Sequence, residues 1–213
     1  MILPSKEFVD IFKSIPGALS VCESIAIMNI SQQAPEGDAI ELGTYKGKSA
    51  ISALYGFTEN MGFHLVDPEF SNKEFEYQTA LNISRIAGSG KGGCWSRTIA
   101  DISLNEIPKH DKLSYVFIDS GTHCDGLAMQ EVQLLEDKIV FGGVIAFHDF
   151  KSQFPDPLTA YNYLLSTGKY EEIPINWQEI VDYVKENDLE RGNDTWHHTE
   201  MEFPCFVGAL KRK

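Results

Sequence analysis

Acidic residues stand at the ends of the short apolar runs in this chain, and there the sequence first offers chemistry. Glu41 lies in Ala39-Ile40-Glu41-Leu42, Asp67 follows Phe63-His64-Leu65-Val66, Asp119 follows Leu113-Ser114-Tyr115-Val116-Phe117-Ile118, and Asp149 follows Val144-Ile145-Ala146-Phe147-His148. Asp101 stands just past a further run near 94–99. Asp is a common turn former and helix cap, which accounts for any one of these alone. Together they describe an acidic pocket suited to a cationic ligand, or to one with hydroxyls to bind. A carboxylate can accept hydrogen bonds from both vicinal hydroxyls of a ribose, and Asp67 lies where such a partner is expected. Two imidazoles, His123 and His148, lie close behind these acids, and a neutral imidazole is well matched to taking a proton near physiological pH.

The loop Gly43-Thr44-Tyr45-Lys46-Gly47-Lys48-Ser49 ends like a phosphate-binding P-loop. Only three residues separate its glycines, however, where that motif needs four so that successive N–H groups wrap a phosphate. Glu41 just before it would also face a polyphosphate unfavourably. The dinucleotide fingerprint G-x-G-x-x-G is absent as well. A ribose anchor without a phosphate cradle fits an adenosine-type ligand, and S-adenosylmethionine is the common cofactor with that profile.

These residues need elements to carry them. Val- and Ile-rich runs alternate with segments of helical period, the signature of a parallel sheet. The chain predicts strands at 39–42, 63–66, 94–99, 113–118 and 144–147, each followed by a helix. Ile51, Leu54 and Tyr55 give the first helix its buried face, Ile83, Ile86 and Ala87 the second, and Ala128, Val132, Leu135 and Ile139 a later one. Gly88 to Gly93 reads as a flexible stop, and Gly142-Gly143 as a turn feeding the fifth strand. Beyond Asp149 come a helix over 158–165, a strand over 172–175, a helix from Asn176 with a Glu179 capping box, and a closing strand over 206–210. Residues 1–36 form a helical preface broken at Pro16-Gly17, placed to cover one side of the sheet or the pocket mouth.

Glu41-Leu42-Gly43-Thr44-Tyr45-Lys46-Gly47-Lys48-Ser49, His64-Leu65-Val66-Asp67, Phe117-Ile118-Asp119 and Gly142-Gly143-Val144-Ile145-Ala146-Phe147-His148-Asp149 resemble class I S-adenosylmethionine-dependent methyltransferases over about residues 37–150. More narrowly, the chain is similar to a small-molecule O-methyltransferase-like branch. Its signature is an acidic strand end followed closely by His, then Gly-Gly and a strand ending in His-Asp. The resemblance implies a Rossmann-like α/β fold: a doubly wound, seven-stranded, mostly parallel sheet with one antiparallel strand at the end and helices on both faces. It implies that Glu41, Gly43 and Gly47 cradle the methionine part, with Thr44, Tyr45 and Ser49 nearby, that Asp67 takes the ribose, and that Asp101 meets the adenine amine. Asp119 also lies against the cofactor. In metal-dependent relatives the positions of Asp119, His148 and Asp149 hold magnesium. A His there departs from magnesium's preference for oxygen, and manganese, iron or zinc would accept it.

O-methylation needs a group that removes the acceptor's proton; His148 and His123 are the candidates, with Asp119 beside them. Asp119-Ser120-Gly121-Thr122-His123 carries one more residue between Asp and His than the branch shows. A non-catalytic nucleoside-binding module therefore stays open, as does an NAD- or nucleotide-dependent enzyme. The segment 176–203, with Trp177, Trp196, His197 and His198, reads first as packed onto the body through its tryptophans with His197-His198 solvated, and a lid that narrows acceptor choice is the alternative.

With 213 residues, 43% of them hydrophobic, the chain suits one domain, 1–213, with a cofactor-binding core at 37–150. Net charge of −13 argues against nucleic acid as a partner. The basic Lys211-Arg212-Lys213 reads as a solvated tail. Cys22, Cys94, Cys124 and Cys205 show no C-x-x-C spacing and read as buried thiols of a reducing compartment. No run spans a membrane and no leader opens the chain, so a cytoplasmic protein acting on a small-molecule acceptor is expected, with a homo-oligomer left open.

Overall fold

A computed structural model of the protein describes residues 1–87, 94–121, 124–150, 154–189 and 207–213. Two helices precede the sheet, α1 (Lys6–Ser14) and α2 (Val21–Ser31). Five strand–helix steps follow: β1 (Gly37–Leu42) and α3 (Lys48–Gly56), β2 (Met61–Val66) and α4 (Lys73–Ala87), β3 (Trp95–Ile99) and α5 (Ser103–Glu106), β4 (Leu113–Ile118) and α6 (Leu127–Leu135), β5 (Ile139–Phe147) and α7 (Pro155–Ser166). Then come β6 (Tyr170–Glu172), α8 (Trp177–Glu186) and β7 (Gly208–Arg212).

The strands form one seven-stranded sheet in the order β3-β2-β1-β4-β5-β7-β6. β1 to β5 pair in parallel, and β7 runs antiparallel between β5 and β6. The last strand in the chain is thus second from the edge in space. Alternation along each strand divides the core in two. Ala39, Tyr115, Phe117, Val144 and Ala146 share one apolar cluster with α1, α2, α3 and α8, while Ile40, Leu42, Val116, Ile145 and Phe147 share another with α6 and α7. Helices therefore cover both faces, as a Rossmann-like sheet requires.

Several expected boundaries move. Ile139 does not extend the helix before it but opens β5, because the Leu113 N–H already bonds the Lys138 carbonyl at 2.8 Å. Gly142 lies inside that strand, not in a turn. Its φ of 76° kinks β5 and shifts its register against β4. The strand expected at 172–175 ends at Glu172, since Pro174 has no N–H to give a ladder. Lys211 and Arg212 are not tail residues: they pair with Val144 and Tyr170 in β7, and Arg212 donates to the Ile139 carbonyl.

The helical preface divides as its Pro16-Gly17 break predicts. Helix α2 is buried on nearly every side against α3 and α8, and its N-terminus carries a Ser20–Glu23 capping box. Asn176 caps α8, whose Ile180, Val181 and Val184 enter the core. Trp177 packs partly buried against the same cluster. Trp196, His197, His198, Cys205 and the stop at 88–93 lie outside the described residues. Among those described, no helix is long and apolar enough to cross a membrane.

Candidate functional site

The sheet order reverses between β1 and β4, which opens a crevice at the carboxyl ends of the strands. Hydrogen bonding continues one step past those ends and sets the site residues in a row. Asp67 N–H bonds the Ile99 carbonyl at 3.1 Å, Gly43 N–H that of Val66 at 2.9 Å, Asp119 N–H that of Leu42 at 2.9 Å, and His148 N–H that of Ile118 at 3.0 Å. Each functional residue is thereby held by the strand beside it. Above the row lies a cavity of about 880 Å³.

Of the residues expected to hold cofactor, Gly43, Thr44, Tyr45, Ser49, Asp67, Asp101 and Asp119 line this cavity. Asp67 is already engaged: Oδ2 accepts from the Tyr45 N–H at 2.7 Å and Oδ1 from the Glu69 N–H at 2.8 Å. Those bonds hold the glycine loop against β2 and leave carboxylate lone pairs for a ligand. Asp101 accepts from Ile102 N–H at 2.8 Å and Asn105 at 2.9 Å and meets Lys109 at 3.2 Å, contacts that hold its carboxyl below its usual range.

Two expected residues stand back from the cavity. Gly47, at φ 83°, starts α3 and faces Thr79 and Ile83. Glu41 is fully buried beneath the wall. It reaches the cavity through Ser49, whose hydroxyl donates to Oε1 at 2.7 Å, while Oε2 has no hydrogen-bond partner. Burial raises its pKa well above normal, Ser49 opposes this, and Asp119 and Asp67 add to it. Thr44 Oγ1 is likewise buried and unpartnered. A wall with such orphaned polar groups suits a ligand that brings hydrogen-bonding partners or positive charge.

Asp119, His148 and Asp149 line the same cavity. His148 continues the phase of Val144 and Ala146, so its ring turns to the α2 side of the sheet. Nδ1 lies 3.0 Å from Asp119 Oδ1 and 3.7 Å from Asp149 Oδ2, and Nε2 lies 3.6 Å from Glu23 Oε1. Burial would pull the imidazole pKa down, but Asp119 and then Glu23 hold it well above its ordinary value. Asp149 adopts φ 52°, a left-handed turn that Asp tolerates. One ligand atom from each of Asp119, His148 and Asp149 lies within 4.8 Å of the others. Two carboxylates and an imidazole at that spacing fit a divalent first-row ion; manganese, iron and zinc accept the nitrogen more readily than magnesium does. His123 lies outside the described residues.

Sequence reasoning did not place Pro16, Gly17, Ala18 and Leu19, which line the cavity between α1 and α2. Nor did it find Lys48, whose Nζ sits 4.5 Å over the Phe12 ring and bonds the Gly17 carbonyl at 3.2 Å. Glu23 was missed too, although a lone acid in the apolar run Val21-Cys22-Glu23-Ser24-Ile25-Ala26-Ile27 calls for a buried partner.

A family model described as a methyltransferase domain matches residues 40–150. No curated protein matches the chain. Among solved structures, an O-methyltransferase from Bacillus cereus in complex with SAH aligns over 100% of this chain and 93% of its own, at 13% identity and a TM-score of 0.60. A protein from Corynebacterium glutamicum aligns over 99% of this chain and 91% of its own, at 12% identity and 0.61. An rRNA methylase from Streptococcus thermophilus aligns over 88% and 93%, at 11% identity and 0.55. At such identities the likeness is one of fold.

Proposed function

The chain belongs to the methyltransferase-domain family, and from that footing we propose that it moves the methyl group of S-adenosylmethionine onto an oxygen of a small-molecule acceptor. What supports the oxygen acceptor is the placement of Asp119, His148 and Asp149 on the same cavity as Gly43 and Asp67. A proton acceptor and a cluster able to hold a hydroxyl group thus share the cavity with the residues assigned to the cofactor.

Asp67 takes the ribose hydroxyls, and Gly43 and Thr44 face the methionine end. The acids that line the cavity, Asp67, Glu69, Asp101, Asp119 and Asp149, favour a sulfonium cation and outnumber Lys48, which also lines it and is bonded to the Gly17 carbonyl. Because the sulfonium already activates its methyl group, alignment of the acceptor oxygen with that methyl supplies much of the remaining catalysis. Asp119, partly exposed and hydrogen-bonded to His148, is poised to draw the acceptor's proton. His148, whose pKa burial lowers but Asp119 and Glu23 raise above its ordinary value, is the second proton acceptor. A divalent ion held by Asp119, His148 and Asp149 would lower the pKa of the acceptor hydroxyl. The net charge of −13 disfavours a nucleic-acid acceptor.

The test is calorimetric binding of S-adenosylhomocysteine against ATP and NAD, followed by labelled-methyl transfer to a panel of phenols, catechols, sugars, amines and rRNA. Binding of S-adenosylhomocysteine alone and transfer to a hydroxyl are expected, with turnover falling at least 100-fold in His148→Ala. Transfer only to an amine or to rRNA would refute the acceptor assignment, and a preference for NAD or ATP the cofactor.

A further inference from the structure

Helix α2 is buried on nearly every side, yet it carries a carboxylate, Glu23, that is only 1% exposed. A buried carboxylate is costly unless its oxygens are engaged. One oxygen, Oε2, is gripped twice by Ser20, whose backbone N–H and hydroxyl each donate at 2.8 Å. That double grip fixes where the other oxygen points. Oε1 stands 3.6 Å from Nε2 of His148, long for a hydrogen bond but within ion-pair range.

The ring so approached is asymmetric in its surroundings. Its Nδ1 edge faces Asp119 at 3.0 Å and Asp149 at 3.7 Å, on the cavity side, and its Nε2 edge faces α2. Without a partner on the α2 side, a half-turn about the Cβ–Cγ bond or a shift of the ring proton would present a different nitrogen to the cavity. A carboxylate on the far side removes that freedom, because it binds N–H and repels a lone pair. The same device is familiar at metal sites, where the partner of the second ring nitrogen sets tautomer and orientation.

We propose that Glu23 is the positioning residue of His148: it accepts the Nε2 hydrogen and leaves Nδ1 as the nitrogen presented to Asp119, Asp149 and the cavity. The use made of Nδ1 rests on the methyl-transfer function proposed above, whereas the orientation itself does not. Glu23 lies outside residues 40–150, the span of the family match. The N-terminal helices are then part of the site and more than its cover, and the cap of α2 ties helix stability to ring geometry.

The experiment reads the ring directly, by nitrogen-15 NMR of the full chain labelled at histidine, with His148→Asn identifying the signal. In the wild type, Nε2 is expected to carry a hydrogen protected from exchange with water. Glu23→Ala should raise that exchange rate at least tenfold. Glu23→Gln has a single acceptor oxygen; kept by the Ser20 cap, it turns an amide NH2 towards Nε2, so the Nε2 hydrogen should lose its acceptor and its protection, and the ring resonances should move. Ser20→Ala, which loosens the grip on Oε2, should fall between wild type and Glu23→Ala. Unchanged His148 ring signals in Glu23→Ala would overturn the proposal. If that variant does not fold, an unmoved resonance in Glu23→Gln overturns it equally. Turnover plays no part in this readout, so a wild type that transfers no methyl group would sink the proposed reaction and leave the orientation of His148 to be decided by the NMR alone.

Discussion

Gly43 approaches Asp119 so closely that a Cβ on the glycine would stand 2.2 Å from the Asp119 carbonyl oxygen. The contact joins the ends of β1 and β4 at the point where the sheet reverses its order. Gly43 also holds φ 85°, which L side chains rarely adopt. Two independent demands, space and backbone conformation, thus fall on one residue of the cofactor loop.

Gly43→Ala should therefore cost about 2 kcal/mol or more of stability. S-adenosylhomocysteine binding should fall at least tenfold as the loop shifts. Urea unfolding and calorimetry on the same preparation check both; an alanine variant as stable and as tight as wild type would show that the loop yields easily.

Glu41→Gln should exchange stability for binding. Burial, together with Asp119 and Asp67, raises the Glu41 pKa, so folding takes up a proton between the ordinary carboxylate range and the raised value. Stability of the unliganded protein then declines as pH rises from the ordinary carboxylate range to the raised value. Gln keeps an oxygen for the Ser49 hydroxyl without that penalty. The variant should be more stable by about 1–3 kcal/mol at pH 7, with a flatter pH profile, and should bind the cationic cofactor more weakly.

His148 makes the opposite kind of contribution. Its raised pKa means that the folded state holds the imidazolium more tightly than the unfolded chain. The stabilisation is complete below about pH 6.5, the unfolded value, and is lost as pH climbs through the raised folded one. Unfolding of the metal-free protein followed from pH 6 to 9 should show the decline, and His148→Asn should lack that component.

Lys48→Met should keep the aliphatic stem and lose the ammonium that bonds the Gly17 carbonyl and caps the Phe12 ring. A loss of about 1–2 kcal/mol follows from a buried hydrogen bond and a cation–π contact. Amide exchange at Gly17, Ala18 and Leu19 should quicken more than exchange in the strands. Equal exchange in both proteins would mean that Lys48 does not hold this edge of the cavity.

Much of the fold was legible because its signals are local. Leu113 to Ile118 is apolar or aromatic at every position but Ser114, as suits a strand covered on both faces, and the acids that end β2, β4 and β5 mark the side where a parallel sheet binds ligands. The bounds of β5 were less readable. Gly142 permits either a turn or a kinked strand, and the pairing of β5 with β4, remote in sequence, decides between them. Lys211-Arg212 looked like a tail because composition does not register the backbone partners that β5 and β6 supply.

The site divides in the same way. Gly43, Asp67, Asp119, His148 and Asp149 could be picked out from the sequence by residue type and by position at strand ends, which the short apolar runs reveal without any tertiary contact. Only the folded chain decided that Glu41 lies behind Ser49, that Lys48 turns to Gly17 and Phe12, and that Glu23 stands against His148. Those relationships join residues 31 or more positions apart, or invert an expected exposure, and the last depends on how α2 packs on β5. No periodicity carries that information, because burial and charge pairing between distant segments exist only once the segments meet.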